Sequence, residues 1–151
     1  MKFLCDDNLG KLAKLLRLLG YDTAYYSTIS NGELMAVMLK EDRIVVSRDR
    51  HLTEKIEAER LVLVDSDSPE QQLSQVITRL DLRIDRQQFF TRCLVCNEIC
   101  LEVAKDEIKD RVFPFILKTQ QHFRRCPACD RIYWQGSHYK DMVAKLERLI
   151  G

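Results

Sequence analysis

Residues Lys2–Gly20 read KFLCDDNLGKLAKLLRLLG, and two different periodicities follow one another within them. Lys2–Cys5 is a short apolar run suited to a strand. Beyond two acids, Leu9, Leu12, Ala13, Leu16 and Leu19 recur at helical spacing, and Gly20 is a natural stop. The pattern then repeats. Thr23–Tyr26 suits a second strand, and Asn31 and Gly32 open a helix to about Glu41, with Asn31 as its expected cap. Arg43–Ser47 (RIVVS), rich in β-branched residues, is the clearest strand. A short helix from about Leu52 leads to Leu61–Val64 (LVLV). Ser68-Pro69-Glu70 then starts a helix carrying Leu73, Val76, Ile77 and Leu80 on one face, with proline at the first helical position. Strands alternating with helices predict an α/β fold, a parallel sheet joined by right-handed crossovers and flanked by helices.

Asp81–Gln88 is charged and lacks periodicity, so the boundary is expected there, with one domain over 1–85 and a second over 86–151. The net charge of +1 divides into −3 for the first segment and +4 for the second. An acidic half beside a basic half fits a metal-holding domain joined to one that grips nucleic acid, though differences this small also arise by chance. No apolar run reaches the ~20 residues that span a bilayer, and the start, MKFLCDDN, has no signal-peptide core. A cytoplasmic protein without membrane association is expected.

In that compartment six cysteines point to metal or buried thiols rather than disulfides. CLVC and CPAC place Cys93, Cys96, Cys126 and Cys129 in two knuckles, the pattern of a structural Zn²⁺ site in a zinc ribbon. The 29 residues between them exceed the usual ribbon spacing, so an added hairpin or turn is expected around Phe113-Pro114-Phe115. Cys100 and His122 lie near the knuckles as substitute ligands of lower rank, and Cys5 reads as a buried small hydrophobe. The closing helix, Tyr139–Ile150, presents Met142, Val143, Leu146 and Ile150 as a packing stripe.

Carboxylates recur where the strands end. Asp6 and Asp7 follow the first strand, Asp49 follows RIVVS, Asp65 and Asp67 follow LVLV, and Glu33 lies near the start of the second helix. In a parallel sheet these positions share the carboxyl edge, and oxygen ligands converging there suit Mg²⁺ or Mn²⁺ acting on a phosphodiester. Asp65 and Asp67 read equally as turn formers, and Glu33 as a first-turn acid complementing the helix dipole.

Three passages together resemble one family. They are the Asp-x-x-Leu-Gly-Lys-Leu-Ala opening from Asp6, the Arg48-Asp49-Arg50 after the strand, and the Tyr133-Trp134-x-Gly-Ser-His138 tail. The family is the PIN-like RNase domain found at the C-terminus of the mutator-seven exonuclease and as stand-alone prokaryotic proteins. The resemblance spans almost the whole chain. It implies a PIN-like sheet followed by a zinc ribbon and a final helix, and metal-dependent RNA cleavage with Asp6 and Asp49 as ligands. It also leads one to expect a second-helix acid. Asn31 stands where relatives are expected to carry Asp, and Glu33 is the nearest carboxylate.

On this reading the catalytic set is Asp6, Glu33, Asp49 and Asp65, with Asp6 and Asp49 holding Mg²⁺ or Mn²⁺. RNA is the expected partner, with the ribosome or tRNA as candidates. Lys11, Lys14 and Arg17, Arg48 and Arg50, and Arg124 and Arg125 are the expected phosphate contacts. Two other readings stand beside it. One is a non-catalytic RNA- or ribosome-binding adaptor, and the other a zinc-stabilised protein-interaction module. Lys11, Lys14 and Arg17 read equally as the solvated face of an amphipathic helix.

Overall fold

The computed structural model describes residues 1–150. They divide into two compact units, one ending at Asn97 and one beginning at Glu98. The sequence places the boundary near residue 85. The structure keeps the segment up to Asn97 with the first unit because side chains of that unit bind its backbone.

The first unit is built on four parallel strands in the order β2-β1-β3-β4. They are β1 (Lys2–Cys5), β2 (Asp22–Tyr25), β3 (Ile44–Ser47) and β4 (Leu61–Leu63). Parallel neighbours require crossovers, and α1 (Gly10–Leu18) and α2 (Asn31–Glu41) supply the first two. The expected short helix near Leu52 is instead two 3-10 turns, Arg50–Glu54 and Ala58–Arg60, leading into β4. After β4 comes α3 (Pro69–Leu80), whose cap Ser68 accepts a hydrogen bond from the Gln71 amide.

Side chains alternate across a strand, and the core follows. Leu4, Val45 and Leu61 pack with Leu34 and Met38 of α2 and with Leu52 and Ile56 of the 3-10 connection. Phe3, Cys5 and Val46 take the opposite sense of the pleat and are fully buried, and α1 packs against β1 and α3. Burial pushes the Cys5 thiol up to about 12, so it behaves as a hydrophobe.

β2 is an edge strand, and an exposed edge invites unwanted pairing. Here the edge is occupied. The Thr23 N–H donates to Asn97 Oδ1 at 2.9 Å, and the Thr23 carbonyl accepts from Arg17 Nε at 2.9 Å. Arg17 Nη1 also donates to the carbonyls of Leu94 (2.9 Å) and Val95 (3.2 Å). Arg17 is therefore buried and committed to the backbone, which removes it from the expected phosphate-binding stripe. The reason is geometric: at ~100° per residue, two steps of three turn Arg17 about 120° away from Lys11. Lys11 and Lys14 remain exposed.

The second unit is a three-stranded antiparallel sheet, β5 (Leu101–Val103), β6 (Phe123–Arg125) and β7 (Ile132–Trp134), in that order. The long insert between the knuckles holds the antiparallel pair β5 and β6, and at the expected hairpin or turn around Phe113-Pro114-Phe115 it carries two short helices, α4 (Lys105–Ile108) and α5 (Pro114–Thr119). Pro114 starts α5 because its fixed φ is already helical. Ile108, Val112 and Phe123 form a small core with Val103, Ile116, Leu117, Ile132 and Trp134 packed around it. The Trp134 ring lies 6.1 Å from Phe123, a packing role. The final helix α6 (Ser137–Ile150) buries Leu146, while Ile150 at the end of its apolar stripe is exposed.

Asp22 ties the edge strand to Arg43, just before β3, and to Asn97 beyond its open edge. It accepts from Arg43 Nη1 at 2.8 Å and from Asn97 Nδ2 at 2.7 Å. Burial raises its pKa, but these hydrogen bonds and the Arg43 charge outweigh burial and hold it below the ordinary value of 3.8. A depressed carboxylate stabilises the fold above its unfolded pKa, and that contribution disappears as pH falls through its folded pKa. The urea midpoint of the wild type should therefore fall as pH drops below 3.8. Asp22→Asn should be less stable at neutral pH and show a flatter acid dependence.

Candidate nuclease site and zinc centre

With β1 flanked by β2 on one side and β3 on the other, the chain reverses its direction of build-out at β1/β3. Loops leaving the two strands diverge there, and such a switch point is where open parallel sheets bind ligands. Asp6 leaves β1 at this point and Asp49 leaves β3. Both are half-buried.

Their link is Ser47, the last residue of β3 and fully buried. Its hydroxyl donates to Asp6 Oδ2 at 2.6 Å and accepts from the Asp49 N–H at 3.0 Å. Asp6 is further held by its own N–H on the Val46 carbonyl at 2.9 Å, and its Oδ1 accepts from the Asp7 N–H at 2.9 Å. Asp49 Oδ1 accepts from the His51 N–H at 3.0 Å and so caps the 3-10 turn. One hydroxyl thus holds the Asp6 carboxylate and the Asp49 backbone on adjacent strand ends, and the His51 N–H holds the Asp49 carboxylate. Sequence reasoning passed over Ser47, although a hydroxyl residue directly before Arg48-Asp49 at a strand end was a usable signal.

The other acids are placed differently. Glu33 is exposed and closes a capping box with Ser30, each binding the other's backbone N–H. Those bonds, first from the Ser30 backbone and then from its hydroxyl, hold the Glu33 carboxyl below the usual range. Ser30, not Asn31, is the helix cap, and the Ser30-x-x-Glu33 spacing already carried that signature. Asp65 is exposed and exchanges hydrogen bonds with the Gln75 side-chain amide on α3. Asp67 is exposed and pairs with Arg48 at 2.7 Å. Among the described residues the carboxylates form no set of three within mutual ligand reach.

Cationic side chains border the same edge. Arg48 and Arg50 line an open cleft of about 550 Å³ with Thr53 and Asp65. Lys11 lines another of about 420 Å³ with Asp7, Tyr25 and Asp67. The Tyr25 hydroxyl donates to the Asp7 carbonyl at 2.8 Å, bracing the loop after β1.

Cys93, Cys96, Cys126 and Cys129 place their sulfurs within 4.8 Å of one another. Both knuckles have the same build. The third amide after the leading cysteine points at its sulfur, from Cys96 at 3.4 Å and from Cys129 at 3.5 Å. The next residue, Asn97 or Asp130, is left-handed (φ 68 and 66) and donates its N–H at 2.9 Å to the carbonyl of the leading cysteine. Asn and Asp tolerate that conformation best among residues with a Cβ, so CLVCN and CPACD are matched five-residue units. Four thiolates suit tetrahedral Zn²⁺ and close its coordination shell. Cys100 and His122 stand outside this set. Arg124 and Arg125 are half-buried on β6, where alternation sends them to opposite faces, and Arg125 Nε lies 3.6 Å from Asp130.

Metal analysis of reduced protein should find about one zinc per chain. Cys126→Ser should lose it, and Trp134, the sole tryptophan, should shift its emission to the red as its contact with Phe123 opens. Metal-free wild type with native tryptophan emission would contradict the structural role.

The family model of the Mut7-C RNAse domain matches residues 1–146. The chain is also 31% identical over 117 residues to the "Exonuclease mut-7 homolog" of Homo sapiens, covering 72% of this chain and 13% of that protein. No solved structure matches it. With a match over nearly its whole length, a parallel sheet flanked by helices, and a four-cysteine cluster followed by a final helix, the chain belongs to the Mut7-C RNAse domain family.

Proposed function

We propose that this chain is a divalent-metal-dependent ribonuclease whose site is the Asp6–Ser47–Asp49 unit, with the zinc ribbon assisting RNA binding. The observation that carries the reading is the Ser47 hydroxyl joining the two acids at the sheet's switch point. The donor set fits a hard cation: two carboxylates offer oxygen ligands, and Mg²⁺ or Mn²⁺ commonly takes only one or two from protein, the rest coming from water and phosphate. When bound, such an ion lowers the pKa of its water and neutralises charge on a phosphodiester.

The chain's own part is placement. Ser47 holds the Asp6 carboxylate in one rotamer and sets the backbone of Asp49. The His51 amide orients Asp49 Oδ1, leaving Oδ2 for a ligand. Arg48, Arg50 and Lys11 supply positive charge in the bordering clefts for flanking phosphates. Glu33 and Asp65 are bound in local structure and take secondary places. A structured or single-stranded RNA in the cytoplasm, ribosomal or transfer RNA included, is the substrate class. Thiolate knuckles need reduced cysteines, and among the described residues no helix is long and apolar enough to cross a membrane.

A non-catalytic RNA-binding adaptor is the second reading. It is favoured by Glu33 being engaged in its capping box and by Asn31 standing exposed at the first helical position, which leaves two pinned acids rather than three.

Cleavage of labelled RNA with Mn²⁺ or Mg²⁺ separates the two. Asp6→Asn with Asp49→Asn should abolish cleavage and preserve RNA binding. Ser47→Ala should lower the rate about tenfold or more, the worth of a hydrogen bond to a charged group. Salt-sensitive binding by wild type without cleavage under any divalent ion would select the adaptor.

A further inference from the structure

Phe113 and Phe115 are 81% and 71% exposed, the two most exposed aromatic rings among the described residues. Their exposure is not a failure of local packing. The same turn buries Val112, and Ile116 and Leu117 pack against the Ile108–Phe123 core. The chain therefore turns three apolar side chains inward and holds two rings outward. Pro114 between them starts α5, and the Thr119 hydroxyl donates to the Phe115 carbonyl at 2.8 Å, so the backbone presenting the rings is constrained. Lys118 lies three residues beyond Phe115 and shares its side of the helix. From Lys109 to Arg125 there are five basic residues and one acid. Asp130 engages Arg111 and lies near Arg125, whereas Lys109 and Lys118 are exposed outside those ion pairs.

We propose that Phe113 and Phe115 form a stacking platform for unpaired bases of single-stranded RNA, with Lys109 and Lys118 attracting its phosphates. Exposed rings within a positively charged segment are the pairing that single-stranded nucleic acid selects, because every base offers a face and every linkage a negative charge. A purely apolar protein partner docked on two phenylalanines would leave the neighbouring cations unused. The platform rests on RNA being the substrate, and it lies in the insert between the knuckles, apart from Trp134, which packs against Phe123.

The test uses the full zinc-loaded chain carrying Asp6→Asn and Asp49→Asn, so that binding is read without cleavage. Fluorescence anisotropy would follow a labelled oligouridine and an RNA duplex of equal length, without added chelator. Phe113→Ala with Phe115→Ala should weaken oligouridine binding about tenfold or more and leave duplex binding and zinc content unchanged. Phe113→Tyr with Phe115→Tyr should retain it. Unchanged oligouridine affinity in the alanine variant, or equal loss on duplex, would overturn the platform. So would loss of self-association in sedimentation with RNA binding intact, since that outcome makes the rings a protein contact. Absence of cleavage by the otherwise wild-type chain, with the alanine effect present, overturns the ribonuclease reading alone.

Discussion

All four strands of the first unit run parallel, so each successive pair must be joined by a crossover and every carboxyl end emerges on one edge. From this constraint come both the buried apolar strands and the gathering of acids after them. The order β2-β1-β3-β4 adds a second condition, since only between β1 and β3 do the departing loops diverge. A single hydroxyl then converts sheet geometry into side-chain geometry. Ser47 ends β3, faces into the protein, and reaches the carboxylate that leaves β1. Neighbouring parallel strands lie ~4.8 Å apart, close enough for one Ser side chain to span them.

The knuckles solve a different problem. A small antiparallel sheet with three fully or nearly buried core residues cannot stabilise a fold of its own size. A metal ion held by the four sulfurs would supply folding free energy that such a core lacks. Each knuckle must turn sharply to bring its second sulfur back toward its first, and a left-handed residue directly after it completes the turn. Asn97 does more. Its side chain also satisfies the outer edge of β2 and the Asp22 carboxylate, so one residue ends the knuckle and closes the sheet edge.

Much of this was legible in the sequence. Apolar residues at spacing two or 3.6 located the strands and helices of the first unit, and two CxxC pairs located the thiolates. The acids after β1 and β3 were legible because parallel topology forces them to one edge. What stayed hidden depends on rotation and reach. Lys11, Lys14 and Arg17 look like one stripe, yet the helix turns Arg17 into the protein, where three carbonyls await it. Asp65 read as a site acid or a turn former alike, and Gln75, ten residues away, engages it in local structure. The insert's helices are only a few residues long, too short for periodicity to separate them from a turn.

Binding of Mn²⁺ to the zinc-loaded chain, followed by electron paramagnetic resonance as free Mn²⁺ disappears, tests the placement of the site most directly. The account predicts one Mn²⁺ site per chain, weakened at least tenfold by Asp6→Asn or by Asp49→Asn and unaffected by Asp65→Asn. Wild-type protein that leaves Mn²⁺ free, or Mn²⁺ binding that survives loss of both Asp6 and Asp49, would contradict it.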